Sequence, residues 1–179
     1  RGKESIRASG SMVMVGNFDV DVEQQQRIGH LLSPLPEEMR DDTAFMDRLH
    51  AYAAGWDFPK LNPHENLTDH FGLVSDYLSE CWTKLRETSR LSAIQGRVNW
   101  GGALSGRDIE AVNKSISGLV KLLHPDPEMS IADADLESIV RIALEARRRV
   151  KEQQKRCLKT EFRNTHFSYF MGVEGIEQF

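Results

Sequence analysis

The chain has 179 residues, of which 40% are hydrophobic, 28% charged and 8% aromatic. That is enough for one ordinary domain or two small halves, and it excludes disordered, fibrous and collagenous classes. The net charge of −4 leans against a dedicated nucleic-acid-binding domain, and uncharged apolar runs such as Met12-Val13-Met14-Val15 are too short to cross a bilayer, so no membrane partner is expected.

Cys81 and Cys157 lie far apart and form neither a disulfide framework nor a metal clip, which suits a reducing cytoplasm. The chain opens on Arg1 without a signal-peptide pattern and reads as an excerpt of a longer polypeptide.

Residues 4–8 and 11–16 read as a hairpin around Ser9-Gly10. Met12–Val15 has the continuous apolar character of a strand buried on both faces, which puts Asn17 at a strand tip. Residues 20–44 are acidic, contain Pro34 and Pro36, and are expected to hold one short helix. A mixed apolar and charged segment follows from Phe45 to Tyr52, and Leu61-Asn62-Pro63 marks the clearest boundary.

Beyond it the reading is helical. Thr68 is placed as the cap of a helix with the stripe Phe71, Val74, Leu78, Cys81, Trp82 and Leu85. Ser105 and Asp108 have the spacing of a capping box, opening a helix that buries Ile109, Val112, Ile116, Leu119 and Leu123 and stops at His124-Pro125. A third helix starts near Asp133 or Asp135 and buries Leu136, Ile139, Val140, Ala143 and Val150. Residues 162–170 alternate like a strand leading onward.

Charge is unevenly distributed. Residues 141–163 carry nine basic and three acidic residues, a local balance of +6 that leaves −10 elsewhere. Residues 19–47 hold eight acids against Arg27 and Arg40. The basic stretch reads as a solvated helix face suited to a helix C-terminus, or as a phosphate-facing surface including Arg148, Arg149 and Lys155.

No phosphate-cradling Gly-x-x-x-x-Gly-Lys-Ser/Thr loop, dinucleotide fingerprint, nucleophile elbow or His-Glu-x-x-His is present, so catalysis by this stretch alone is not expected. His64 and His70 are six apart and read as surface histidines rather than metal ligands; no metal site is expected.

The remaining polar residues fall in a telling order: Asn17 after an apolar run, Asp47-Arg48 after a helical segment, and Ser105-Gly-Arg-Asp108 opening a helix. This order resembles the second half of an AAA+ ATPase module, with Lon-like and minichromosome-maintenance-like features. The stretches Val15-Gly-Asn-Phe-Asp-Val-Asp-Val, Thr68-Asp-His-Phe-Gly-Leu-Val-Ser-Asp-Tyr-Leu, Ser117-Gly-Leu-Val-Lys-Leu-Leu-His-Pro-Asp and Arg147-Arg-Arg-Val-Lys-Glu-Gln resemble the Lon-like AAA+ proteins of BREX bacteriophage-exclusion systems.

The resemblance implies a mainly α fold with a few strands. The C-terminal end of an AAA+ α/β core (1–60) would be followed by a helical lid (61–160) and a strand-like connector (161–179). It implies Asn17 as sensor 1, Arg48 as an arginine finger acting on a neighbouring subunit (with Arg40 as rival), and Arg107 as sensor 2, with Asn17 and Arg107 at the nucleotide. ATP and Mg2+ would be bound by the full-length protein rather than by this stretch.

It further implies a hexameric ring of identical copies, other phage-defence proteins as partners, and DNA met by Arg1 and Lys3 near the hairpin. The alternatives are a helical DNA-binding or protein-interaction module without nucleotide chemistry, and part of a conventional Lon protease.

Overall fold

The computed structural model describes residues 10–67, 69–158, 160 and 164–172. The fold is built on two long helices, α6 (Gly106–Leu123) and α7 (Asp133–Cys157). Ser105 starts α6 as a reciprocal capping box: its Oγ accepts from the Asp108 N–H at 3.2 Å, while Asp108 Oδ2 accepts from the Ser105 N–H at 3.2 Å. His124, followed by Pro125, ends the helix as expected.

α7 starts at Asp133, with acids in its first turn and Lys155 and Arg156 in its last, a distribution that complements the helix dipole. The start of α6 lies against residue 147, in the second half of α7, and residues 124–132 join the two helices, so they run antiparallel.

Val112, Ile116 and Val120 of α6 meet Leu136, Ile139, Val140, Ala143 and Leu144 of α7 in the core, joined by Ile94, Val98 and Ile131. Ile109 and Leu119 are only partly covered and Leu123 is 61% exposed, so the α6 stripe is narrower than its spacing suggests.

Two strands that the sequence reading did not pair close one side. β1 (Val98–Trp100) and β2 (Tyr169–Met171) are antiparallel, with Asn99 opposite Phe170. The described part of the strand-like stretch before Phe170 packs onto the helices. Trp100, Phe167, Tyr169 and Met171 pack against the core.

Three short α-helices start within residues 20–44, where one was expected: α1 (Val22–Ile28), α2 (Glu37–Arg40) and α3 (Thr43–Met46). Asp21 and Asp42 cap α1 and α3 through their carboxylates, which explains why acids and helix starts coincide here. Residues 11–16 form no strand, contrary to expectation, and the partner half of the proposed hairpin, 4–8, lies outside the described residues. Met12, Val13 and Val15 are 79%, 85% and 94% exposed. A doubly buried strand needs neighbours on both sides, and neither β1 nor β2 pairs with this segment.

Past the boundary come α4 (Pro63–Asn66) and α5 (Ser75–Arg86). α5 begins seven residues after Thr68, which itself lies outside the described residues, and its N-cap is Val74. Gly72 within the intervening stretch disfavours an earlier start. No residue of α5 is buried, and Phe71, which was assigned to its stripe, is fully exposed. No helix among the described residues is long and apolar enough to cross a membrane.

Candidate functional site

A densely bonded polar cluster joins α3, α6 and α7. Arg147 and Asp108 are fully buried, and Lys151 is 3% exposed at the side chain. One turn apart on α7, Arg147 and Lys151 point the same way. Arg147 Nη2 lies 2.8 Å from Asp108 Oδ1, and its Nε donates to the same oxygen at 2.9 Å. Its Nη2 also donates to Asp47 O at 3.0 Å and Asp47 Oδ1 at 3.1 Å, and its Nη1 donates to the carbonyl of Leu49.

Lys151 Nζ contacts Asp47 Oδ1 at 2.9 Å and Asp108 Oδ1 at 3.3 Å. The second oxygen of Asp108 accepts from the Ser105 hydroxyl at 2.6 Å. The second oxygen of Asp47 accepts from Arg107 Nη1 at 2.5 Å. Three cations thus share two carboxylates, leaving a formal surplus of one positive charge.

Burial raises the pKa of both carboxyls, but the cations outweigh it. Asp47 is held far below the ordinary carboxylate range by hydrogen bonds from Arg107 and Lys151 and by the field of Arg147. Asp108 is lowered by Ser105, Lys151 and Arg147 despite its burial. The pairing raises the Arg107 pKa, chiefly through its hydrogen bond to Asp47.

Of the residues singled out from sequence, Arg107 therefore sits at the rim of this cluster, with its side chain 59% exposed. Arg48 follows Asp47 directly, is exposed, and donates from Nη1 to the carbonyl of Ala44. The two arginines, far apart in sequence, are linked through Asp47. Asn17 lies exposed in the extended segment before α1, and no strand places it; Arg40 closes α2. Arg1 and Lys3 lie outside the described residues.

The basic stretch of α7 is neither a free patch nor, at Arg147 and Lys151, a solvated face. Arg148 pairs with Glu145 at 2.7 Å, Lys155 with Glu152 at 3.0 Å, and Arg149 with both Glu145 and Asp57. Asp47, Arg147 and Lys151 were not singled out for a role in the sequence. Arg147, Lys151 and Gln154 continue the stripe of Leu136, Ile139, Val140 and Ala143 at helical spacing, and that periodicity was the available signal.

His64 and His70 are both exposed. A trio the sequence did not suggest, His30, Asp41 and Cys157, brings its ligand-type atoms within 4.8 Å of one another. The Leu32 N–H donates to His30 Nδ1 at 3.2 Å, which leaves the proton of the neutral ring on Nε2, directed at Asp41 Oδ1 3.1 Å away. Burial, with the charge of Asp41, raises the Cys157 thiol pKa. A metal ion at this trio would have to displace the thiol proton of Cys157 and the His30 Nε2–H···Asp41 hydrogen bond.

Comparison with known proteins places this chain in a family. Residues 1–168 match the family described as Lon-like protease BrxL-like, ATPase domain. The chain is 42% identical over 179 residues to the Lon-like protease BrxL of Bacillus cereus (strain H3081.97), covering all of this chain and 26% of that protein. It is 44% identical over 179 residues to the Lon-like protease BrxL of Escherichia coli O9:H4 (strain HS), covering all of this chain and 25% of that protein. The chain therefore spans about a quarter of the length of the curated relatives it matches.

Proposed function

The chain belongs to the BrxL-like ATPase-domain family, and from that premise we propose that it supplies the rear part of the ATP-hydrolysing module of a ring-forming, Lon-like protein of bacterial phage defence. The observation carrying this reading is the family match over residues 1–168. Arg107 is ion-paired with Asp47, the residue that precedes Arg48, so the two proposed nucleotide-directed arginines are connected through one carboxylate-bearing residue.

In this reading α6 and α7 belong to the lid of an AAA+ module, and Met12–Val15 finds its strand partners in the rest of the full-length protein. The amide of Asn17 can both donate and accept, as a residue orienting an attacking water must. Arg107 meets the phosphates of ATP, held with Mg2+ by residues outside this stretch. Arg48 reaches the nucleotide of a neighbouring copy and offsets charge developing on the transferred phosphoryl group.

DNA and other phage-defence proteins are the proposed partners of the ring. Arg1, Lys3, Arg148, Arg149 and Lys155 are the candidate phosphate contacts. The last three already hold carboxylates, so a phosphate would replace an existing partner at each.

Arg48→Ala in the full-length protein is expected to lower ATP turnover by about a thousandfold, the lower range of arginine-finger effects, while nucleotide binding stays within about twofold. Turnover and fluorescent-nucleotide titration measure the two. Unchanged turnover would remove the finger assignment. For DNA, Arg148→Glu is the cleanest probe because that side chain is exposed; it should weaken binding and reduce the dependence of affinity on salt.

A further inference from the structure

We propose that Asp47 is the positioning residue of this nucleotide site: its carboxylate holds Arg107 back while its clamped backbone sets the direction of Arg48. The inference rests on the reading of Arg48 and Arg107 as nucleotide-directed residues.

The two oxygens of Asp47 have different duties. Oδ1 faces inward to Arg147 and Lys151, both essentially without solvent contact. Oδ2 faces Arg107, the one cation of the cluster that is largely exposed. Arg107 is thus the member an incoming anion can take with least disturbance, and the pair Arg147 and Lys151 still neutralises Asp47 once Arg107 has left.

A triphosphate is the ligand class that fits, since its charge exceeds that of one carboxylate and its oxygens accept the same guanidinium donors. Holding Arg107 on Asp47 therefore weakens the grip on nucleotide in the resting state.

Arg48 is coupled to the same event through the main chain. Arg147 bonds the carbonyls of Asp47 and Leu49, on either side of Arg48, and the Arg48 N–H bonds Phe45 O at 2.9 Å. The peptide that carries Arg48 is gripped from a buried guanidinium which also touches the Asp47 carboxylate. Release of Arg107 changes the charge balance around that guanidinium, and with it the setting of the arginine proposed to act on the next subunit.

The test uses the full-length protein and ATP turnover measured across ATP concentration. Asp47→Asn frees Arg107 and loosens the clamp, so KM for ATP is expected to fall by about fivefold or more, in the range of ordinary coupling between sites. The kcat should fall as well. A purely structural role would not lower KM while lowering kcat. In an Arg107→Ala background the same substitution should leave KM unchanged, because the competing cation is gone.

An unchanged or raised KM in Asp47→Asn, or an equal fall in KM without Arg107, overturns the proposal. If Asp47→Asn does not yield folded protein, Asp47→Glu serves: it keeps the charge but adds a methylene between carboxylate and backbone, which disturbs the clamp on the Arg48 peptide, so KM should stay within about twofold of the parent while kcat falls. A parental kcat in that variant overturns the proposal too. If Arg48→Ala and Arg107→Ala both retain parental turnover, the nucleotide reading fails and this role with it. If either lowers turnover while Asp47→Asn keeps parental KM and kcat, the positioning role alone fails.

Discussion

A guanidinium with no solvent contact costs several kcal/mol to bury and is tolerated when each of its nitrogens finds an acceptor. Arg147 meets that condition with the Asp108 and Asp47 carboxylates and the carbonyls of Asp47 and Leu49. Removing a partner is therefore much worse than never having made the pair. Asp108→Ala is expected to destabilise the protein by about 3–5 kcal/mol, measured as the loss in urea midpoint, whereas Arg148→Ala, which breaks one half-exposed pair, should stay within about 0.5 kcal/mol.

The same carboxylates set an acid limb. Asp47 and Asp108 have folded pKa values below the ordinary 3.8, so their contribution is fully present above that value. It is lost as pH falls below 3.8 through the folded values. Melting temperature should therefore drop steeply with acidification in this window, and Asp47→Asn should make that drop shallower. An identical slope in the variant would count against the cluster as its source.

At the level of elements, α6 and α7 were legible because each repeats an apolar stripe over several turns, and α6 also has recognisable ends in Ser105 with Asp108 and in His124-Pro125. α1, α2 and α3, at four to seven residues, carry too few turns for a periodic signal, and β1 has three residues. Met12–Val15 forms no strand within this stretch: an apolar run reports a need for burial without saying what supplies it. The chemistry of α7 was missed for the opposite reason: Arg147 and Lys151 were counted as charge although their spacing put them in the buried stripe.

The strand pair makes its own prediction. Gly101 donates its N–H to Ser168 O at 2.9 Å, and a Cβ there would lie 1.8 Å from Ser168 Oγ and 3.1 Å from its carbonyl oxygen. Rotating the hydroxyl away does not relieve the backbone contact. Gly101→Ala should cost about 1–3 kcal/mol through overpacking, seen as a lower denaturant midpoint, with Ser168→Ala restoring only part of it.

Across the whole molecule, the uneven charge resolves inwardly. The basic half of α7 is wrapped by the acid-rich segment before it in sequence, through Arg149 to Asp57, Arg156 to the carbonyls of Gln26 and Gly29, and Lys151 to Asp47. Neutral groups add to the wrap. Gln153 Oε1 accepts from the Leu31 N–H at 2.8 Å, Gln154 donates to Thr43 O at 2.9 Å, and the Tyr52 N–H donates to Ala146 O at 3.0 Å. Hydrogen exchange should therefore show the amides of Leu31 and Tyr52 opening with the second half of α7. Gln153→Ala should speed exchange at Leu31 about tenfold, equivalent to the loss of roughly one net hydrogen bond. Fast exchange at both amides in the parent would mean the wrap is not held in solution.

At about 1.5 Å per residue, the 25 residues of α7 make a rod about 37 Å long. One end of that rod is sunk in the apolar packing with α6, and the other is lashed to residues 26–57. α7 contains no Pro or Gly to kink it, so motion of one end is passed along the helix to the other. A swing of the helical pair therefore drags Asp47 and Arg48 through an arc rather than leaving them behind. A pivot at Leu61-Asn62-Pro63, where the chain looks easiest to bend, would have to break the contacts that tie residues 26–57 to α7.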